Sequence, residues 1–179
     1  MKKPHRPKWD ARTSVAQNAR RELPRLVSVY FAHVRDLLAA NPSPAELHAV
    51  RLATKRLRYT IELFRACYGP GLEDRLATLR HIQQLLGEVN DGACCEAFLA
   101  RTMRPSAMRI RLLDFLAKAA EERAEVFRQA WAGEFDSAGQ ELWWTQYLAR
   151  QAREPGRAIR SSRRPTPDRR RKTPPPAQV

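Results

Sequence analysis

Glycine is scarce in this chain, at 7 of 179 residues, while Ala, Leu, Arg and Glu abound. That balance favours an all-α class. Cysteine occurs three times, at Cys67, Cys94 and Cys95. An odd number without a C-x-x-C pair fits a reducing, cytoplasmic setting rather than a disulfide framework. Adjacent cysteines rarely ligate one tetrahedral ion, and no nearby His or Cys completes a ligand set at Cys94-Cys95. Both are expected to be small buried hydrophobes, and no metal or cofactor is expected. No run of about 18 apolar residues occurs, so no membrane-spanning helix and no membrane partner are expected. The N-terminal MKKPHRPKWD lacks an apolar segment and does not read as a secretory signal. Acidic residues are also short: 19 Asp and Glu stand against 33 Lys and Arg, a formal net charge of +14. Such an excess implies an anionic partner: nucleic acid, polyphosphate or an acidic membrane surface.

What is present is helical periodicity in a chain of one-domain length, long enough for a substantial core. Residues 1–9, basic and carrying Pro4 and Pro7, read as a disordered arm. A helical pattern runs from about Asp10 to Ala40, with Pro24 expected to kink or divide it. Asn41-Pro42-Ser43-Pro44 is a stop and turn. Ser43 is a natural N-cap there, with Pro44 at the first helical position and Glu46 three residues after the cap. The next helix is predicted over Glu46 to Tyr68, ending at Gly69-Pro70-Gly71. A third runs from Leu72 through Phe98 and Leu99. Gly87 inside it points to close helix–helix approach, and Gly92 marks a bend or break. A fourth starts at Pro105, with Ile110, Leu113, Leu116, Ala117, Ala120, Ala124, Phe127 and Trp131 as its inner face. Residues 133–139 read as a loop. A short fifth helix over 140–153 carries Trp143, Trp144 and Tyr147, expected to pack against the bundle end. From Glu154 onward the Arg- and Pro-rich composition cannot bury a core and reads as a disordered tail. The expected architecture is an antiparallel four-helix bundle over residues 10–153, with a short extra C-terminal helix.

The most informative stretch is ELHAVRLATKRLRYTIELFRACY, Glu46 to Tyr68. At about 100° per residue, Leu47, Val50, Ala53, Leu57, Ile61 and Phe64 fall within one apolar arc. His48, Arg51, Lys55 and Arg58 form a basic stripe, and Leu52, Tyr59 and Leu63 cluster on its far side. Cations bracketed by apolar residues suggest the lining of a groove between helices. Like charges at these spacings repel by a few tenths of a kcal/mol per pair. Glu62 can pair with Arg58 but cannot neutralise the whole stripe; a polyanion would. From His48 to Arg58 the stripe spans about 15 Å at 1.5 Å per residue, the scale of several linked phosphates. Arg supplies a planar fork for phosphate oxygens and Lys a movable point charge. An imidazole with the usual pKa near 6.5 is mostly neutral at pH 7, and a bound polyanion would favour its protonated form.

The segment HAVRLATKRLRY, His48 to Tyr59, resembles the signature of the CHAD family, the conserved-histidine α-helical domains. LRHIQQLLGEVND, Leu79 to Asp91, is similar to the family's second motif, in the same order and at about the same spacing. A full family domain is built of two pseudo-repeats of a four-helix unit. This chain carries one signature pair, closest to the second repeat, over roughly residues 10–150. Dimerisation is one way to restore the missing half.

The resemblance implies a polyphosphate-binding module associated with polyphosphate granules, with His48, Arg51, Lys55, Arg58 and Arg80 as the binding residues. It also implies that no catalytic residue is required. Gln83, Gly87, Asn90 and Asp91 match the second motif and read as packing, capping or pairing residues. Arg56 projects away from Lys55 and reads as a rim residue. Arg75 is a further source of charge with an ambiguous projection. Two readings compete with a non-enzymatic polyphosphate binder. A nucleic-acid-binding helical protein would use the same charge, especially the tails, although no zinc finger, RNP motif or basic-zipper heptad is visible. A phosphohydrolase using His48 would need an acidic cluster or a nucleophile paired with a base, and neither is evident.

Overall fold

The computed structural model describes residues 6–155, which form six α-helices and no strand: α1 (Val15–Ala39), α2 (Pro44–Leu63), α3 (Arg65–Tyr68), α4 (Gly71–Thr102), α5 (Ala107–Ala130) and α6 (Gln140–Arg150). The all-α expectation holds over this span. Residues 1–5 of the expected arm and 156–179 of the expected tail lie outside the described residues.

Helix starts follow from local sequence. Ser14 caps α1 and Ser43 caps α2, each in a reciprocal box with the residue three positions on, Gln17 or Glu46. Each box satisfies two backbone donors that the first turn leaves free. α1 begins at Val15, not near Asp10, because residues 10–13 turn back on Asn18. The Asp10 amide donates to Asn18 Oδ1 at 2.9 Å, and Asn18 Nδ2 returns a bond to the Asp10 carbonyl at 2.8 Å. Pro24 does not divide α1, which continues through it. The proline removes only one helical donor, and Leu23 and Val27 beside it are fully buried.

The arm is not free over residues 6–9. The Lys8 amide donates to the buried carboxylate of Glu22, and Trp9 packs on Phe64 with ring centroids 5.1 Å apart. That contact sits where the predicted Glu46–Tyr68 helix is interrupted. α2 ends at Leu63, Phe64 leaves helical geometry, and α3 resumes for one turn.

α2 packs on α1 and α4, α4 packs on α5, and α6 returns to α1. α4 continues through Gly92 without a break. A Cβ built there would stand 3.6 Å from the Ala120 Cβ of α5, so Gly92 marks the close helix–helix approach that Gly87 was expected to provide. On α5 the expected inner face is buried only in its second half, at Ala124 and Phe127, with Trp131 just beyond. Ile110 is 70% exposed and Met108 and Phe115 are similarly bare, because the first half of α5 packs on the distal part of α4.

Residues 131–135, expected to begin a loop at Gly133, instead form a π-helical turn, with the Asp136 amide donating to the Trp131 carbonyl at 2.7 Å. The turn presents Trp131 and Phe135 to Tyr30 and Phe31 of α1 in one buried aromatic cluster. α6 then closes the chain. Ser28 donates to Glu141 at 2.8 Å, Arg35 pairs with Asp136 and Glu141, and the Arg153 amide donates to the Cys67 carbonyl at 2.7 Å. Trp144 is buried, as expected. Trp143 and Tyr147 sandwich Arg75 of α4, whose guanidinium carbon lies 3.3 and 3.6 Å from their ring centroids. Burial lowers the Arg75 pKa to about 10, which leaves it charged at neutral pH. Arg75 therefore fastens α6 to α4.

Candidate polyanion-binding seam

The two signature segments lie against each other. α2 and α4 run antiparallel, and three motif positions of α2, with Glu62 one turn beyond Arg58, face four of α4. His48 Nδ1 pairs with Asn90 Oδ1. One turn along, the Arg51 side chain lies over Gly87, where an added Cβ would stand 3.8 Å from Arg51 Nε. Arg58 Nε donates to Gln83 Oε1 at 3.0 Å. Glu62 takes Arg58 Nη1 at 2.7 Å and Arg80 Nη2 at 3.7 Å. The reason is periodicity: 48, 51, 55, 58 and 62 share one helical face, as do 80, 83, 87, 90 and 94.

All five expected site residues therefore fall along one seam. His48, Arg51 and Arg58 are half-buried, and Lys55 and Arg80 are exposed. Lys55 is held on its own helix, with Nζ 5.7 Å from the Tyr59 ring centroid; the Arg58 guanidinium carbon lies 4.4 Å from the same ring. Tyr59, Gln83 and Asn90 thus hold Lys55, Arg58 and His48 in place. Such pre-positioning lowers the ordering cost of binding. Arg51 Nε is buried and has no hydrogen-bond partner among the described residues. A buried guanidinium donor without a partner costs free energy.

Sequence-based assignments change at two places, Gly87 and the cysteine pair. Asn90 pairs with a basic side chain, His48, which was among its expected roles, and Gln83 pairs with Arg58 in the same way. The spacing of 80, 83, 87 and 90 could have revealed them, because it repeats on α4 the polar stripe of α2. Gly87 faces an arginine side chain, not another backbone. Cys94 and Cys95 are exposed rather than buried: α2 begins at Pro44, one turn before His48, so α4 runs on beyond its cover. The groove also has one wall fewer than the bracketing pattern suggested. Leu47, Val50, Leu57 and Ile61 are buried, but Leu52 and Tyr59 are open and Leu63 is 80% exposed. Arg56 is exposed, as expected of a rim residue. Arg75 faces α6 and contributes no charge to the seam.

Among the described residues no helix is long and apolar enough to cross a membrane. No curated protein and no solved structure is significantly similar to the chain. The family model of the CHAD domain matches residues 2–100, which contain α1, α2, α3 and nearly all of α4. Both signature segments lie inside that match, and by it the chain belongs to the CHAD domain family.

Proposed function

We propose that the chain binds inorganic polyphosphate, without chemical turnover, along the α2–α4 seam. The observation that carries this reading is the register of the two motifs. His48, Arg51, Lys55 and Arg58 form a row about 15 Å long, with side chains from α4 and Tyr59 holding it in place. A linear array of donors suits a ligand of repeating phosphates better than a single small anion. Membership of the CHAD family supports the same ligand, because the domain is associated with polyphosphate binding. Glu62, the carboxylate on the stripe, is engaged by Arg58 and Arg80, which supports a role in positioning the two guanidinium groups over a role as a catalytic base. Residence at polyphosphate granules in a cytoplasm belongs to the same proposal.

The basic tail would bind any polyanion in a strongly salt-dependent way, so the test removes it. Arg20 already holds the Ala152 carbonyl and Ser14 pairs with Glu154, so deleting residues 155–179 spares the closure of the fold. The truncated protein is titrated with long-chain polyphosphate and with single-stranded DNA at low and physiological salt. Tight polyphosphate binding that outlasts DNA binding is the expected result. Equal affinities that fade together as salt rises would instead favour general nucleic-acid binding.

The open flank of Leu52, Tyr59 and Leu63 supports a second proposal, that another copy of the chain covers it and walls the seam. Light scattering at micromolar concentration should then report a dimer, and a strict monomer would remove the idea.

A further inference from the structure

The two ring nitrogens of His48 have different surroundings. Nδ1 turns to α4 and meets the side-chain oxygen of Asn90. That oxygen only accepts, so Nδ1 carries the hydrogen and donates. At its other end the amide Nδ2 lies 3.7 Å from the Cys94 sulfur. Among the described residues nothing bonds to His48 Nε2.

We propose that Asn90 is a positioning residue that holds neutral His48 in its Nδ1–H tautomer, so that His48 joins the anion site only as an imidazolium. A phosphate oxygen needs a donor. The neutral ring in this tautomer offers a lone pair at Nε2, a second acceptor that repels the ligand. Protonation places an N–H at Nε2 and a positive charge one turn from Arg51. Polyphosphate binding is then coupled to uptake of one proton.

Among the described residues no carboxylate is paired with His48. Arg51 and Lys55 are the charged groups on the same face of α2. On α4, Glu88, Asp91 and Cys94 lie within about a turn of Asn90. On α1, the other helix packed on α2, the Tyr30–Thr54 contact brings Asp36 and His33 level with the start of α2. Among the described residues neither Glu88, Asp91 nor Asp36 forms an ion pair with His48. Among the described residues, then, none supplies the compensating negative charge, which an anionic ligand would bring. The inference rests on the polyphosphate reading for its ligand but not for its tautomer.

Two measurements on the full chain separate these parts. Nitrogen-15 NMR of the ligand-free protein reads the tautomer: neutral His48 should be protonated at Nδ1, and protonation at Nε2 overturns the inference. Long-chain polyphosphate is then titrated at physiological salt from about pH 5.5 to 8.5, the range that contains imidazole titration. Wild-type affinity should fall roughly ten- to a hundredfold as the imidazolium is lost, the worth of one charge-assisted hydrogen bond. His48→Ala should stay nearly level over the same range. Asn90→Ala frees the ring to carry its hydrogen at Nε2 and to donate while neutral. Its affinity should therefore fall several-fold less than that of wild type between the acid and the alkaline end. Equal loss at both ends, as a purely packing role would give, overturns the positioning role, and so does an equal slope in wild type and His48→Ala. Absence of polyphosphate binding at every pH would overturn the ligand, leaving the tautomer to be decided by its NMR signature.

Discussion

Replacing Arg51 and Arg58 together with alanine should weaken polyphosphate binding by about 2–4 kcal/mol at physiological salt, while the protein stays folded. Each charged hydrogen bond contributes roughly 1.5–3 kcal/mol, and screening at an open seam removes part of that. The expected loss corresponds to roughly 30- to 900-fold in Kd. The two arginines are chosen because both are half-buried on the seam, and they stand on either side of Lys55. The fold should tolerate the change. Arg51 Nε has no hydrogen-bond partner to lose, and Glu62 keeps Arg80 when Arg58 is gone. Arg58→Ala does leave Gln83 without its bond, a partly buried contact worth about 1 kcal/mol. Calorimetric titration reads the affinity, and circular dichroism checks the helices. An unchanged Kd in a folded double variant would remove the seam from the account and shift the binding to the tail.

Phe31→Ala should destabilise the fold by about 3–5 kcal/mol, the usual cost of truncating a buried phenylalanine to leave a cavity. Phe31 is fully buried. It stacks on Phe135 at 4.8 Å and meets Trp131 at 5.7 Å, so it joins α1 to the π-helical turn that leads into α6. Domains of this kind have about 5–15 kcal/mol in total, so the loss is a large share. Urea unfolding should show a lowered midpoint with little change in slope. Phe115 is the control: it is 65% exposed, and its replacement by alanine should change stability by about 0.5 kcal/mol or less. A Phe31→Ala effect as small as that of Phe115→Ala would show that the aromatic cluster does not hold the closure.

The features legible in the sequence were those set by residues within a few turns of one another. The Ser43-Pro44-Glu46 start, the Gly69-Pro70-Gly71 break and the shared face of His48, Arg51, Lys55 and Arg58 all depend on local chemistry and helical period, and the structure has them. What could not be read depends on partners far along the chain. The break at Phe64 accompanies Trp9, which arrives from the other end of α1. Gly92 stays helical because Ala120 lies against it. Cys94 and Cys95 looked apolar enough for a core, but their exposure depends on where α2 begins relative to α4. A pairing role for Asn90 was legible in the second motif, but which side chains it and Gln83 meet needed the register between two helices.

The closure of the chain and the seam differ in how far apart their partners lie in sequence. The Arg58–Gln83 and His48–Asn90 contacts close loops of 25 and 42 residues. The contacts that bring α6 and the chain end back to α1 close loops of 113 residues at Ser28–Glu141 and 132 at Arg20–Ala152. Loop entropy makes the last of these about 1 kcal/mol more costly than the His48–Asn90 loop, and long-range contacts form later than local ones. The α2–α4 hairpin is thus the low-contact-order part of the molecule. It can assemble as the chain leaves the ribosome, before α6 exists to seal it, and partial opening that begins at α6 leaves the hairpin in place.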